Sequence, residues 1–269
     1  MRMRGQPHSA GHWHGVGLTD RGRVRTSNQD AFAILNERGV WILADGMGGR
    51  AGGDIASRMA VDGLVADLSQ RLGPCMSEST ELDSRRALLH HVIHMSNKAV
   101  HVEASRRPDL LGMGTTLVTL MILLRPQATA LIAHVGDTRV YCLRSGTLTQ
   151  VTRDHSFVEE SLRDGRMTRA EALNHPLRHM LTRAVGAESE VEAEITVHEL
   201  TPQDMLLLCS DCLTKMLPDP IIRDILSQPA ASLLQMCRAL IDEANAHGGE
   251  DNTTVVLVKN ELTTSPQER

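Results

Sequence analysis

Val40-Trp41-Ile42-Leu43-Ala44 runs directly into Asp45-Gly46-Met47-Gly48-Gly49. An unbroken apolar run of this length reads as a strand buried on both faces. It stops at a carboxylate followed by glycines, which puts Asp45 at the rim of a sheet. The glycines let backbone carbonyls turn toward the same point. The pattern recurs along the chain. Residues 205–209 run into Ser210-Asp211, residues 128–135 end in Gly136-Asp137, and Gly248-Gly249-Glu250-Asp251-Asn252 opens a strand over 253–259. One Asp-Gly is an ordinary turn dipeptide. Several strand-edge aspartates can converge on one point, where they stay ionised together only beside a cation. Carboxylate, carbonyl and water donors favour Mg²⁺ or Mn²⁺ over Zn²⁺.

Outward from that stretch, further strands are predicted over 31–35, 115–124, 139–143, 148–152 and 192–200. Turn-like Asn36-Glu37-Arg38-Gly39, Arg125-Pro126-Gln127 and Ser145-Gly146 separate neighbours, so the sheets are expected to be largely antiparallel. Helical periodicity covers 51–71 and 82–106, with shorter helices over 156–164, 168–174, 221–226 and 231–246. Strands in excess, with long helices between hairpins, point to stacked sheets with helices outside, and periodicity leaves other α/β layouts open. Residues 13–260 read as one domain, with polar, flexible ends at 1–12 and 261–269.

The chain has 269 residues, 41% apolar and 23% charged, which excludes a disordered protein. Aromatic residues are 2% and the net charge is −5, both against nucleic-acid binding. Cys75, Cys142, Cys209, Cys212 and Cys237 form no disulfide framework. The longest apolar run is far too short for membrane insertion. These features lead to the expectation of a cytoplasmic protein.

Eight motifs, those stretches among them, carry a resemblance that runs from Gly17 to Val258. They are Arg25-Thr26-Ser27-Asn28-Gln29-Asp30, Leu43-Ala44-Asp45-Gly46-Met47-Gly48-Gly49, Gly112-Met113-Gly114-Thr115-Thr116 and His134-Val135-Gly136-Asp137-Thr138-Arg139. After these come Leu148 to Ser156, Leu181 to Gly186, Leu207-Leu208-Cys209-Ser210-Asp211 and Glu250-Asp251-Asn252-Thr253-Thr254. In this order they resemble the metal-dependent type 2C protein serine/threonine phosphatases in their bacterial form. The resemblance implies an α+β fold, a four-layer αββα sandwich of two antiparallel sheets flanked by helices, with the metal site at one edge. It implies two Mn²⁺ or Mg²⁺ ions and a third, weaker one. Asp45 would bridge the pair, with the Gly46 carbonyl on the second ion and Asp211 and Asp251 on the first. Asp137 would hold the third. Gln29, Asp30 and Asn252 would stand behind these ligands, Asp30 acting through water. Arg25 would clamp the substrate phosphate, for which a planar guanidinium is suited. The implied reaction is hydrolysis of phosphoserine and phosphothreonine by an activated water, opposing Ser/Thr kinases in signalling. Phosphorylated proteins and the kinase itself would be the partners of a monomeric enzyme. A mobile flap over 156–180 would control access.

Two departures stand out. Met47 follows the Asp-Gly pair where many eukaryotic relatives carry a proton-donating His. Cys212 replaces the Gly that normally follows the metal-binding Asp. At φ > 0 its Cβ would strain the loop by about 1–2 kcal/mol. That strain is the argument for the alternative reading, a catalytically weak phosphatase-like binding module; a hydrolase of small phosphate esters is the third. Cys209 and Cys212 also form a Cys-x-x-Cys pair, read here as a buried strand residue and a tolerated substitution rather than a redox switch. His90, His94 and His101 read as surface histidines, His12 and His14 as part of a mobile start, and Asp154 as the cap of the helix that follows it.

Overall fold

Along a strand, successive side chains alternate between faces, and this chain fills both. The computed structural model describes residues 12–48, 52–72, 82–124 and 127–261. The readings of both chain ends beyond His12 and Glu261, of Gly49 and of Cys75 lie outside these residues. Eleven strands are described: β1 (His12–Asp20), β2 (Asp30–Leu35), β3 (Val40–Met47), β4 (Gly114–Thr115), β5 (Leu117–Leu123), β6 (Thr129–Val135), β7 (Arg139–Arg144), β8 (Thr147–Gln150), β9 (Glu194–Glu199), β10 (Met205–Cys209) and β11 (Thr253–Glu261). The helices are α1 (Gly52–Arg71), α2 (Leu82–Arg106), α3 (Phe157–Arg163), α4 (Arg169–Leu173), α5 (Asp211–Met216), α6 (Asp219–Leu226) and α7 (Leu233–Ala246).

Two antiparallel sheets result, in the orders β1-β11-β10-β7-β8 and β2-β3-β5-β6-β9, with β4 paired to β3. Trp41 and Leu43 of β3 meet Leu206 and Leu208 of β10 and Val256 and Val258 of β11 in the layer between the sheets. The alternate residues Val40, Ile42 and Ala44 face α1 and α2. On the far side, Met205, Leu207 and Cys209 face α5, α6 and α7. Burial on both faces explains the unbroken apolar runs, and the four layers follow helix–sheet–sheet–helix, as the resemblance implied.

His12 and His14 belong to an ordered strand, not to a mobile start. β1 pairs with β11 over its whole length, and Trp13 is fully buried between the sheets. Among the described residues, no helix is long and apolar enough to cross a membrane.

Candidate metal centre

Antiparallel pairing gathers the aspartates at one edge. Asp30 opens β2 directly opposite Asp45 near the end of β3. β10 ends at Cys209 beside Arg139, the first residue of β7, so Asp211 and Asp137 leave the sheet at the same rim. Asp251 precedes β11 at that end, where the Ser210 amide donates to the Thr254 carbonyl at 3.0 Å. Asp45, Asp137, Asp211 and Asp251, together with Arg25, border a cleft of about 850 Å³, and Asp30 lies buried behind it.

The backbone under Asp45 is held on both sides. Its amide donates to Thr116 Oγ1 at 3.0 Å, and its carbonyl accepts from Thr115 Oγ1 at 2.9 Å and from the Thr116 amide at 2.8 Å. Glycine is required at 46. A Cβ there would lie 2.0 Å from the Gly53 carbonyl oxygen, a backbone atom that cannot yield. Gly136 has φ +99°, and a Cβ would come within 2.7 Å of Thr116 Cγ2. Asn252 ties three segments together: its Oδ1 accepts from the Gln29 amide at 2.8 Å, and its Nδ2 donates to the Arg21 and Ser27 carbonyls at 2.9 Å.

The electrostatics are those of a site built for cations. Burial, followed by the charges of Asp30, Asp211, Asp137 and Asp251, holds the Asp45 carboxyl well above the usual range. Burial also pushes Asp30 up to about 7, against the hydrogen bond from Thr254 that favours its charged form. Asp137 likewise lies at about 7, through burial and then Asp211 and Asp154. Asp30 Oδ2 accepts from Thr254 Oγ1 at 2.6 Å, while its Oδ1 is buried without a hydrogen-bond partner. An unsatisfied carboxylate oxygen among like charges fits a hard divalent cation or its bound water. The Arg25 guanidinium lies on Asp251, 2.5 Å from Oδ2, half exposed at the mouth of the cleft.

Cys212 does not sit at positive φ. Among the described residues Ser145 is the non-glycine in that region. The chain turns into α5 at Asp211, so Cys212 is helical and fully buried, and its Sγ donates to the Asp251 carbonyl at 3.4 Å. The strain expected there is therefore absent. Burial pushes the Cys209 thiol up to about 12 and raises that of Cys212, which keeps both protonated and inert.

Asp154 does not cap α3; the Ser156 side chain does. Asp154 instead takes Arg139 in a two-pronged ion pair, at 2.6 and 2.9 Å. Sequence reading also missed a second group of ligand-type side chains, His134, His155 and Glu194. The His155 Nδ1 accepts from the Gly136 amide at 3.1 Å. The ring's proton therefore sits on Nε2, which cannot then ligate a metal. Burial lowers His155 to about 3, so the ring is a neutral brace for the loop that carries Asp137.

A family model described as protein phosphatase 2C matches residues 19–247. The serine/threonine phosphatase stp of Listeria monocytogenes serovar 1/2a is 40% identical over 256 residues, spanning 93% of this chain and 97% of that protein. The solved Streptococcus agalactiae serine/threonine phosphatase superposes with a TM-score of 0.81 at 37% identity, covering 93% of this chain and all of that one. The catalytic domain of the phosphatase PstP, solved with two manganese ions, gives 0.75 at 33% identity over 92% of this chain and 97% of its own. This chain belongs to the protein phosphatase 2C family. It is a metal-dependent protein serine/threonine phosphatase, and its substrates are phosphoproteins.

Proposed function

We propose that Asp45, the Gly46 carbonyl, Asp211 and Asp251 hold two divalent ions, Mn²⁺ or Mg²⁺, with Asp30 and Gln29 acting through water and Asn252 fixing the loops behind them. The observation that carries this reading is the meeting of aspartates from separate strand ends, three of them, Asp30, Asp45 and Asp137, adverse to ionisation without a cation. Bound there, divalent ions lower the pKa of water and offset charge on phosphoryl oxygens. The chain's own groups do the rest. Asp30 orients water through the oxygen that lacks a protein partner. Arg25, sited at the mouth, exchanges Asp251 for phosphoryl oxygens, since its planar fork suits both. Water adds to phosphorus, and the bond to the seryl or threonyl oxygen breaks. No covalent enzyme intermediate is required, consistent with buried, protonated thiols around Asp211. Met47 cannot donate a proton, so water supplies it to the departing oxygen.

The same reading makes the protein a cytoplasmic monomer that opposes a Ser/Thr kinase, with the kinase's own phosphorylated residues among its substrates. The test is Mn²⁺-dependent phosphate release from a phosphothreonine peptide, with p-nitrophenyl phosphate in parallel. Asp45→Asn is expected to lower turnover by about 10³-fold, as for loss of a principal electrostatic group, with the fold intact by circular dichroism. Turnover that survives both chelation and Asp45→Asn would sink the reading.

A further inference from the structure

Helix α5 begins at Asp211 and places Lys215 one turn later, so the two side chains share a face. The Lys215 ammonium contacts Asp211 Oδ2 directly. Asp137 leaves the sheet at the same rim as Asp211 and borders the same cleft. Arg139, two residues beyond Asp137, is committed to Asp154 at 2.6 Å. A tethered positive charge thus already stands on the Asp137–Asp211 side of the cleft, where the family resemblance puts the third, weaker metal. Two cations crowded into that position repel each other even in a polar protein environment.

We propose that Lys215 replaces the third metal: its ammonium neutralises the Asp137–Asp211 side, and the chain binds two divalent ions and no third. The proposal rests on the binuclear reading above. A lysine cation differs from a divalent ion in two ways. It cannot be diluted or chelated away, and it offers three rotatable donors that can reach a carboxylate and a phosphoryl oxygen together.

The experiment counts bound Mn²⁺ on the full, metal-stripped chain by calorimetry and by electron paramagnetic resonance of the free ion. Wild type and Lys215→Arg, which keeps the charge, are expected to bind two. Lys215→Gln is expected to bind a third, with an affinity at that site at least about tenfold above any in wild type. Three ions in wild type or in Lys215→Arg would overturn the proposal, because the ammonium or its substitute would then yield to the metal. Two ions in Lys215→Gln would overturn it as well, because lysine would not be what excludes the third. Fewer than two in every protein would take down the binuclear reading and this proposal together.

Discussion

The carboxylate rim and the flap border the same cleft, yet they are held in different ways. At the rim, Asp45 is fixed through backbone bonds to Thr115 and Thr116, and the strands beneath it are buried on both faces. The flap, 156–180, is held by local capping. Ser156 caps α3, and a reciprocal Thr168–Glu171 box caps α4. Its ties to the body are few: Thr182 Oγ1 donates to Glu160 Oε1 at 2.7 Å, Arg183 pairs with the same carboxylate at 3.9 Å, and Ser156 bridges Leu181. In its two helices only Ser161 and Ala172 are buried, while Leu173, Leu177 and Met180 stay exposed. Segments with few buried apolar contacts open at low cost, whereas those welded to a core open only with the whole domain. On the proposed reading the chemistry sits on the rigid part and substrate access on the yielding part, and the two can be perturbed separately.

The largest expected difference is in stability. Leu208, fully buried between the sheets one strand-step from the rim, should lose about 2–5 kcal/mol on replacement by Ala, through lost transfer energy and a residual cavity. Leu173 is 75% exposed, and its replacement by Ala should stay within about 0.5 kcal/mol. Urea melts of both variants check this. Equal costs would break the contrast between a welded rim and a locally capped flap.

The second effect is a pH dependence confined to the rim. Asp30 is near 7 when folded, well above a free carboxyl, so between about pH 4 and 7 the folded state binds more protons than the unfolded. The stability of metal-free protein is then greatest below the unfolded value and falls as pH rises through that window. Thermal melts with chelator should show the fall, and added Mn²⁺ at pH 7 should reverse it by favouring the ionised carboxylates. Asp30→Asn should flatten the metal-free profile. A profile as steep in that variant as in wild type would place the titration elsewhere, with Asp45 and Asp137 the next groups to test.

Legibility in the sequence follows the same division. β3, β10 and β11 are continuous apolar runs, so their ends and the aspartates beyond them are visible without coordinates. The bounds of α2 are as its periodicity predicts, because a long helix averages over many residues. β1 was hidden. His12-Trp13-His14-Gly15-Val16-Gly17 mixes polar residues and glycines, and the strand is made by a partner more than two hundred residues away. α5 was hidden for the opposite reason. It is a single short helix that starts at Asp211 itself, where reading stops at the end of a strand. That omission conceals both the relaxed position of Cys212 and the approach of Lys215. The i, i+4 spacing of Asp211 and Lys215 was the available signal.

The smallest expected effect belongs to the flap and concerns selectivity. His179 lines the same cleft as the aspartates. Burial, then the charges of Lys215 and Arg178, hold its ring below the ordinary histidine value, so at neutral pH it is an uncharged donor or acceptor at the mouth. Such a group can touch the peptide around a phosphorylated residue. It should matter little to an aryl phosphate that has no peptide. His179→Ala should therefore lower kcat/KM for a phosphothreonine peptide by about fivefold, the scale of one lost hydrogen bond, and leave p-nitrophenyl phosphate within about twofold. A parallel fall on both substrates would move His179 from the flap's selectivity to the chemistry of the rim. The proton source that Met47 cannot provide would then be sought on the flap, and the division of labour between the two regions would have to be redrawn.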